Sequence, residues 1–92
     1  MTDVEVFQQA KDALINLNPI ASDILFLHFD APDAAGHGHG FSPNVTEYAQ
    51  SLKQTDQYVK QLFTIINNKR AAGEDWLIFI VSDHGGDGRG HG

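Results

Sequence analysis

Histidine and aspartate side chains, which commonly bind divalent metal ions, concentrate in two glycine-rich stretches of this 92-residue chain, residues 31–43 and 82–92. Imidazole and carboxylate groups are the usual ligands of Zn²⁺ where cysteine is absent, and carboxylates also suit Mn²⁺ or Mg²⁺. The chain has no cysteine, which excludes thiolate ligands and disulfides. The candidate ligands are Asp33, His37, His39, Asp83, His84, Asp87 and His91.

The spacing of these residues allows them to converge. Asp33 and His37 are four positions apart with Gly36 between them, so a tight turn could aim both side chains at one ion. Asp83 and His84 are adjacent, and they converge only if the two glycines that follow permit a bend. The alternative is that these are surface polar residues, or that a histidine-rich tract binds metal without function.

Two apolar runs precede the two stretches and predict the elements that position them. Residues 23–30 and 76–81 have the length and composition of strands buried on both faces. With a helix between them, they predict an α/β fold in which a strand–helix–strand unit belongs to a parallel sheet. Ligands gather at the carboxyl ends of such strands, where both polar stretches would then lie as loops.

Helical patterns flank the first apolar run. Thr2 and Glu5 have the spacing of a capping box, which predicts a leading helix within residues 1–22, stopped by Asn18-Pro19. A second apolar stripe predicts a long helix after Pro43 that ends near Gly73. The apolar positions are Phe7, Ala10, Leu14 and Leu17 in the first helix, and Val45, Tyr48, Leu52, Val59, Leu62 and Ile66 in the second.

Composition excludes several classes of protein. Hydrophobic residues make up 41% of the chain, which is enough for a core and argues against disorder. The formal net charge of -6 argues against a nucleic acid duplex as partner and is compatible with binding of cations. No apolar run reaches the length of about 18 residues that a membrane span requires. The polar, acidic first residues are not typical of a signal peptide.

The two polar motifs resemble a known family. Residues 33–37, DAAGH, are similar to the Asp-x-x-Gly-His motif of type I phosphodiesterases and nucleotide pyrophosphatases, within the alkaline phosphatase superfamily. Residues 81–86, VSDHGG, are similar to the Ser-Asp-His-Gly motif of that superfamily. The resemblance covers about residues 23–92 and implies the three-layer alkaline phosphatase-like fold, of which residues 1–92 would be a partial, metal-binding domain.

The resemblance also implies a role for each candidate ligand. Asp33, His37 and His91 would bind one divalent ion, and Asp83 and His84 would bind a second. The ions would be Zn²⁺, with Mn²⁺ as the alternative. His39 could compete with His37, and the family pattern favours His37. The implied activity is hydrolysis of phosphate mono- or diesters, with a small phosphate ester as substrate.

One part of the family pattern has no counterpart here. The family places a Thr or Ser nucleophile and a further aspartate ligand upstream of these motifs, and the hydroxyls of this chain lack that context. We therefore expect a fragment that requires the rest of the parent domain. The alternatives are a sulfatase or a cofactor-independent phosphoglycerate mutase of the same superfamily, or a metal-binding fragment without catalysis.

Overall fold

The computed structural model describes residues 2–16 and 24–91, and this part of the chain contains three helices. Helix α1 spans Asp3–Asn16, α2 spans Ala31–His39 and α3 spans Thr46–Ala71. Residues 24–30 and 74–82, here called the two connecting segments, lie outside helices and strands. Residues 83–91, here called the tail, come directly after the second segment. None of these helices combines the length and apolar character needed to cross a membrane.

The start of α1 confirms the predicted capping box. The Glu5 amide donates a hydrogen bond to Thr2 Oγ1 at 3.3 Å, and the Thr2 amide donates to Glu5 Oε1 at 3.3 Å. The Thr2 hydroxyl also donates to Glu5 Oε1 at 2.9 Å, and this bond is the main reason that the pKa of Glu5 is lowered. The predicted stop at Asn18-Pro19 lies outside the described residues.

Helices α1 and α3 form the core through apolar positions that the sequence predicts in each helix. Leu52, predicted on the stripe of α3, is instead 42% exposed, and Leu17 lies outside the described residues. Phe7, Ala10 and Leu14 of α1 are buried against Leu62 and Ile66 of α3. The spacings of three and four residues place each set on one helix face, which drives the two helices together.

The predicted parallel sheet is wrong for the part of the chain that the structure describes. Residues 24–30 and 74–82 contain no strand, and no backbone hydrogen bond pairs one range with the other. A strand exists only with a partner to satisfy its backbone groups, and an apolar run cannot specify that partner. The doubly buried pattern was also misinterpreted, because Phe26 is 87% exposed and Phe79 is 81% exposed.

Each connecting segment buries only part of its apolar side chains. Leu25 and Phe29 of the first, and Trp76 and Ile78 of the second, pack partly buried against the α1–α3 core. The other large apolar side chains of the two segments are exposed: Ile24, Phe26, Leu27, Leu77, Phe79, Ile80 and Val81. The second segment is also held at its start, where Arg70 Nη2 in the last turn of α3 donates to the Trp76 carbonyl at 2.7 Å.

Candidate metal centre

Helix α2 positions the first two candidate ligands. Asp33 and His37 lie on one face of this helix, because residues four apart are neighbours there, and His37 Nε2 is 3.3 Å from Asp33 Oδ1. The sequence predicted a loop over residues 31–43 with a tight turn at Gly36, and for residues 31–39 this is wrong. The glycines lowered the expected helix propensity, and contacts from distant residues outweigh it.

The first of these contacts fixes the start of α2. The backbone amides of Asp30 and Ala31 both donate hydrogen bonds to the carboxylate of Asp3, each at 2.9 Å. A carboxylate at a helix N-terminus satisfies unpaired N–H groups and interacts favourably with the helix dipole. Pro32 occupies the first turn, where its missing N–H costs nothing. Helix α2 therefore begins against α1, which orients the face that carries Asp33.

The second contact explains two of the motif glycines. The ring of Phe41 lies where a Cβ atom on Gly36 would stand, and the same ring occupies the Cβ position of Gly86 in the tail. The Phe41 amide also donates to the Gly88 carbonyl at 2.5 Å. Sequence reasoning missed Phe41, because only the folded chain places one ring between two glycines that are 50 residues apart. These contacts pack the tail against the end of α2.

Three imidazoles converge on one carboxylate oxygen. His84 Nε2 and His91 Nε2 each lie 3.3 Å from Asp33 Oδ1, the same distance as His37 Nε2. His37 Nε2 and His91 Nε2 are 2.5 Å apart. Asp33, His37 and His91 form a group whose ligand atoms all lie within 4.8 Å of one another. The structure thus brings together the three residues predicted for the first ion, although ion binding itself stays a prediction.

The donor set fits a divalent ion. Asp33 Oδ1 is buried and accepts no hydrogen bond from the described residues, although three imidazole nitrogens lie nearby. This carboxylate oxygen is therefore left without a hydrogen-bond partner. Ligand atoms about 2.0–2.1 Å from a tetrahedral Zn²⁺ lie about 3.3 Å apart, which matches the separations from Asp33 Oδ1. The gap between His37 and His91 is shorter, so these two rings would have to part slightly. Nitrogen and carboxylate donors in this number suit Zn²⁺.

Backbone carbonyls orient two of the imidazoles. His37 Nδ1 lies 2.8 Å from the Arg89 carbonyl, and His84 Nδ1 lies 2.8 Å from the Gly85 carbonyl. A carbonyl only accepts, so each Nδ1 carries the proton and each neutral ring keeps its Nε2 lone pair free. In this tautomer Nε2, the atom that faces Asp33 in both rings, is free to bind a metal ion.

His84 and Asp83 lie at the edge of this cluster. His84 Nε2 is 3.5 Å from Asp83 Oδ1, and the Asp83 side chain is 72% exposed. The hydrogen bond to the Gly85 carbonyl is the main reason that the pKa of His84 is raised. Desolvation opposes it, and the Asp83 and Asp33 carboxylates add smaller effects in the raising direction. The pair predicted for a second ion thus lies beside the first group, joined to it through Asp33.

The two remaining candidates have other partners. His39 Nδ1 lies 3.8 Å from Glu47 Oε1 on α3, and both side chains are about half exposed. Asp87 forms a backbone bridge with Gly90, with hydrogen bonds of 3.0 and 2.9 Å. This turn carries Arg89, whose Nε donates to the His37 carbonyl at 2.9 Å, a role that sequence reasoning did not identify.

Comparisons with known proteins agree with the motifs. The family model described as type I phosphodiesterase / nucleotide pyrophosphatase matches residues 3–88. A stretch of 63 residues is 37% identical to the catalytic subunit of GPI ethanolamine phosphate transferase 3, both from Mus musculus and from Homo sapiens. The match covers 68% of this chain and 5% of each relative, so the chain spans a small part of their length. No solved structure matches.

Proposed function

Because the chain belongs to the type I phosphodiesterase/nucleotide pyrophosphatase family, as its sequence motifs predict, we propose that its polar cluster binds divalent metal and, through it, a phosphate ester. Asp33, His37 and His91 would hold one ion, and Asp83 with His84 would contribute to a second. The proposed activity is cleavage or transfer at a phosphate mono- or diester. The similar transferases are named for ethanolamine phosphate, which is an ester of this kind.

The observation that carries this proposal is the unsatisfied oxygen of Asp33 among three imidazole nitrogens. A buried carboxylate oxygen without a hydrogen bond is costly, and coordination to a cation removes that cost. Zn²⁺ is the preferred ion for this donor set, with Mn²⁺ as the alternative.

Charge gives a second argument for a metal. The chain carries a net charge of -6, and Asp33 and Asp83 face the same cluster, so a phosphate anion would be repelled from it. A bound divalent ion would reverse this local charge, polarise a phosphoryl oxygen and stabilise the charge that develops on the leaving group. The cluster is therefore suited to a phosphate ester only in its metal-bound form.

The hydroxyl nearest to the cluster along the chain is already engaged. Ser82 Oγ donates to the His84 carbonyl at 2.6 Å, which holds the backbone bend that turns His84 toward Asp33. The Ser82 hydroxyl is thus engaged in this backbone bend, and we do not assign Ser82 as nucleophile. We expect slow turnover at most from this chain by itself.

Calorimetric titration with Zn²⁺ tests the metal site. We expect the wild type to bind, Asp33→Ala to lose binding at the first site, and Asp83→Ala to keep it. Asp56→Ala is the matched control, since Asp56 is an exposed aspartate on α3 and its loss changes the charge equally. Zn²⁺ binding that is unchanged in both Asp33→Ala and Asp83→Ala would contradict the proposed metal site.

Substrate class needs a separate experiment. The zinc-loaded chain would be mixed with bis-p-nitrophenyl phosphate, with p-nitrophenyl phosphate and with p-nitrophenyl sulfate, and both binding and release of nitrophenol would be measured. We expect the phosphate compounds to bind only when Zn²⁺ is present. A preference for the sulfate ester would support the sulfatase alternative, and binding of Zn²⁺ without any ester would leave only a metal-binding fragment.

A further inference from the structure

Arg89 and His37 exchange two hydrogen bonds across the candidate site. Arg89 Nε donates to the His37 carbonyl at 2.9 Å, and the His37 ring lies with Nδ1 2.8 Å from the Arg89 carbonyl. The two residues are 52 positions apart, so this exchange is tertiary structure and not a local turn. Each residue is thus both donor and acceptor toward the other.

We propose that Arg89 is a positioning residue for the metal centre, a role that rests on the metal binding proposed above. Its guanidinium binds a carbonyl in the last turn of α2, where the helix leaves carbonyl groups without intrahelical partners. A cation at this end also interacts favourably with the helix dipole. The bond anchors residue 89, and the anchored carbonyl fixes the ring of His37.

The hydrogen bond from His37 Nδ1 to the Arg89 carbonyl determines which nitrogen of the His37 ring is free to bind a metal ion. With Nδ1–H bound to the Arg89 carbonyl, neutral His37 has its lone pair on Nε2, which faces Asp33 and His91. If residue 89 were released, the proton could move to Nε2, and that tautomer cannot bind an ion through Nε2. Arg89 therefore acts on metal affinity through the protonation pattern of His37, without touching the ion.

The turn around Arg89 extends this effect to His91. The bridge between Asp87 and Gly90 and the bond from the Phe41 amide to the Gly88 carbonyl hold the turn on α2. His91 follows directly, and its Nε2 lies 3.3 Å from Asp33 Oδ1. Loosening of residue 89 would thus disturb two of the three residues in the first group.

The test compares Arg89→Ala with Arg70→Ala. Arg70 is the matched control because its guanidinium also donates to a backbone carbonyl, that of Trp76, and its loss changes the charge equally. We expect Arg89→Ala to weaken Zn²⁺ binding by about 10- to 100-fold, the usual effect of removing a partner that orients a ligand. Arg89→Lys, which keeps a cationic donor, should recover part of the affinity, and Arg70→Ala should match the wild type.

Nitrogen-15 NMR of the metal-free imidazoles reads the tautomer directly. We expect the wild type to have His37 protonated on Nδ1, and Arg89→Ala to populate the Nε2–H form. Wild-type His37 protonated on Nε2, or equal Zn²⁺ affinity in Arg89→Ala and Arg70→Ala, would overturn the role of Arg89. Absence of Zn²⁺ binding in the wild type would instead count against the proposed function, and the NMR result would still decide the positioning of His37.

Discussion

The core formed by α1 and α3 and the polar cluster formed by α2 and the tail are held together by different forces. Among residues 2–16 and 24–91, the core buries five apolar side chains. The tail, residues 83–91, has no large apolar residue and is held by hydrogen bonds and the ring of Phe41. A hydrogen bond contributes about 1 kcal/mol net, and a buried Leu or Phe side chain contributes about 1.5–3 kcal/mol. The comparison teaches that the chemically important part of this molecule is its more weakly held part.

The largest effect is expected from breaking the core. Leu14 is 1% exposed, so Leu14→Ala should cost about 2–5 kcal/mol of unfolding free energy. For a chain of this size each kcal/mol lowers Tm by about 4–8 °C. Thermal unfolding followed by circular dichroism measures it, with Ile15→Ala as control because Ile15 is 53% exposed on the same helix. Equal losses in both variants would contradict the assignment of the core.

A smaller effect should appear on the cluster side with Gly36→Ala. The new Cβ would overlap the Phe41 ring and displace it, at a cost of about 1–3 kcal/mol, and the tail should separate from α2. Zn²⁺ affinity should fall, and the Tm of the α1–α3 core should fall less than in Leu14→Ala. Gly38→Ala is the control on the same helix, since nothing lies within 4 Å of its Cβ position. Unchanged Zn²⁺ affinity in Gly36→Ala would mean that the Phe41 ring does not hold the tail in place.

A smaller loss of stability is expected at the exposed positions of the two connecting segments, residues 24–30 and 74–82. Phe79 is 81% exposed, so Phe79→Ser should change the unfolding free energy by no more than about 0.5 kcal/mol. Ile78→Ser, at the partly buried neighbouring position, should cost clearly more. Denaturant titration of both variants and the wild type measures these differences in the free energy of unfolding. Phe79→Ser should also reduce self-association at high protein concentration, because exposed apolar patches favour association. Analytical ultracentrifugation measures the degree of self-association.

The smallest effect concerns the capping box. The Thr2 hydroxyl lowers the pKa of Glu5, so ionised Glu5 stabilises the folded chain above the ordinary pKa of 4.5, and this contribution is lost as the pH falls through the lowered folded-state pKa. Thr2→Ala should move the Glu5 pKa back toward its ordinary value in an NMR titration. Thr2→Ser should keep the lowered pKa, and a rise in that variant would argue against the hydroxyl as the cause.

Local patterns predicted the parts of the fold that depend on nearby residues. The capping box, the buried face of α1 and the end of α3 follow from contacts within a few positions of sequence. The prediction of a parallel sheet was wrong because a strand needs a second backbone to pair with, which the sequence of the strand does not specify. Helix α2 was missed because Asp3 and Phe41, which lie outside residues 31–39, stabilise it. The first motif predicted Asp33 and His37 as ligands and the family resemblance added His91, and the structure brings the three together. Their support by Phe41 and Arg89 could not be predicted.

The sequence separation of the cluster contacts bears on the order in which the chain folds. His37 meets Arg89 and His91 across 52 and 54 residues, whereas α3 closes only short-range bonds along its 26 residues. Closing a long loop costs conformational entropy before any contact compensates for it, so local helices form early and distant contacts form late. We therefore expect the tail to dock last during refolding and to exchange its amide hydrogens first in the native state. A metal ion would then act at the final step, when the two ends of that loop meet.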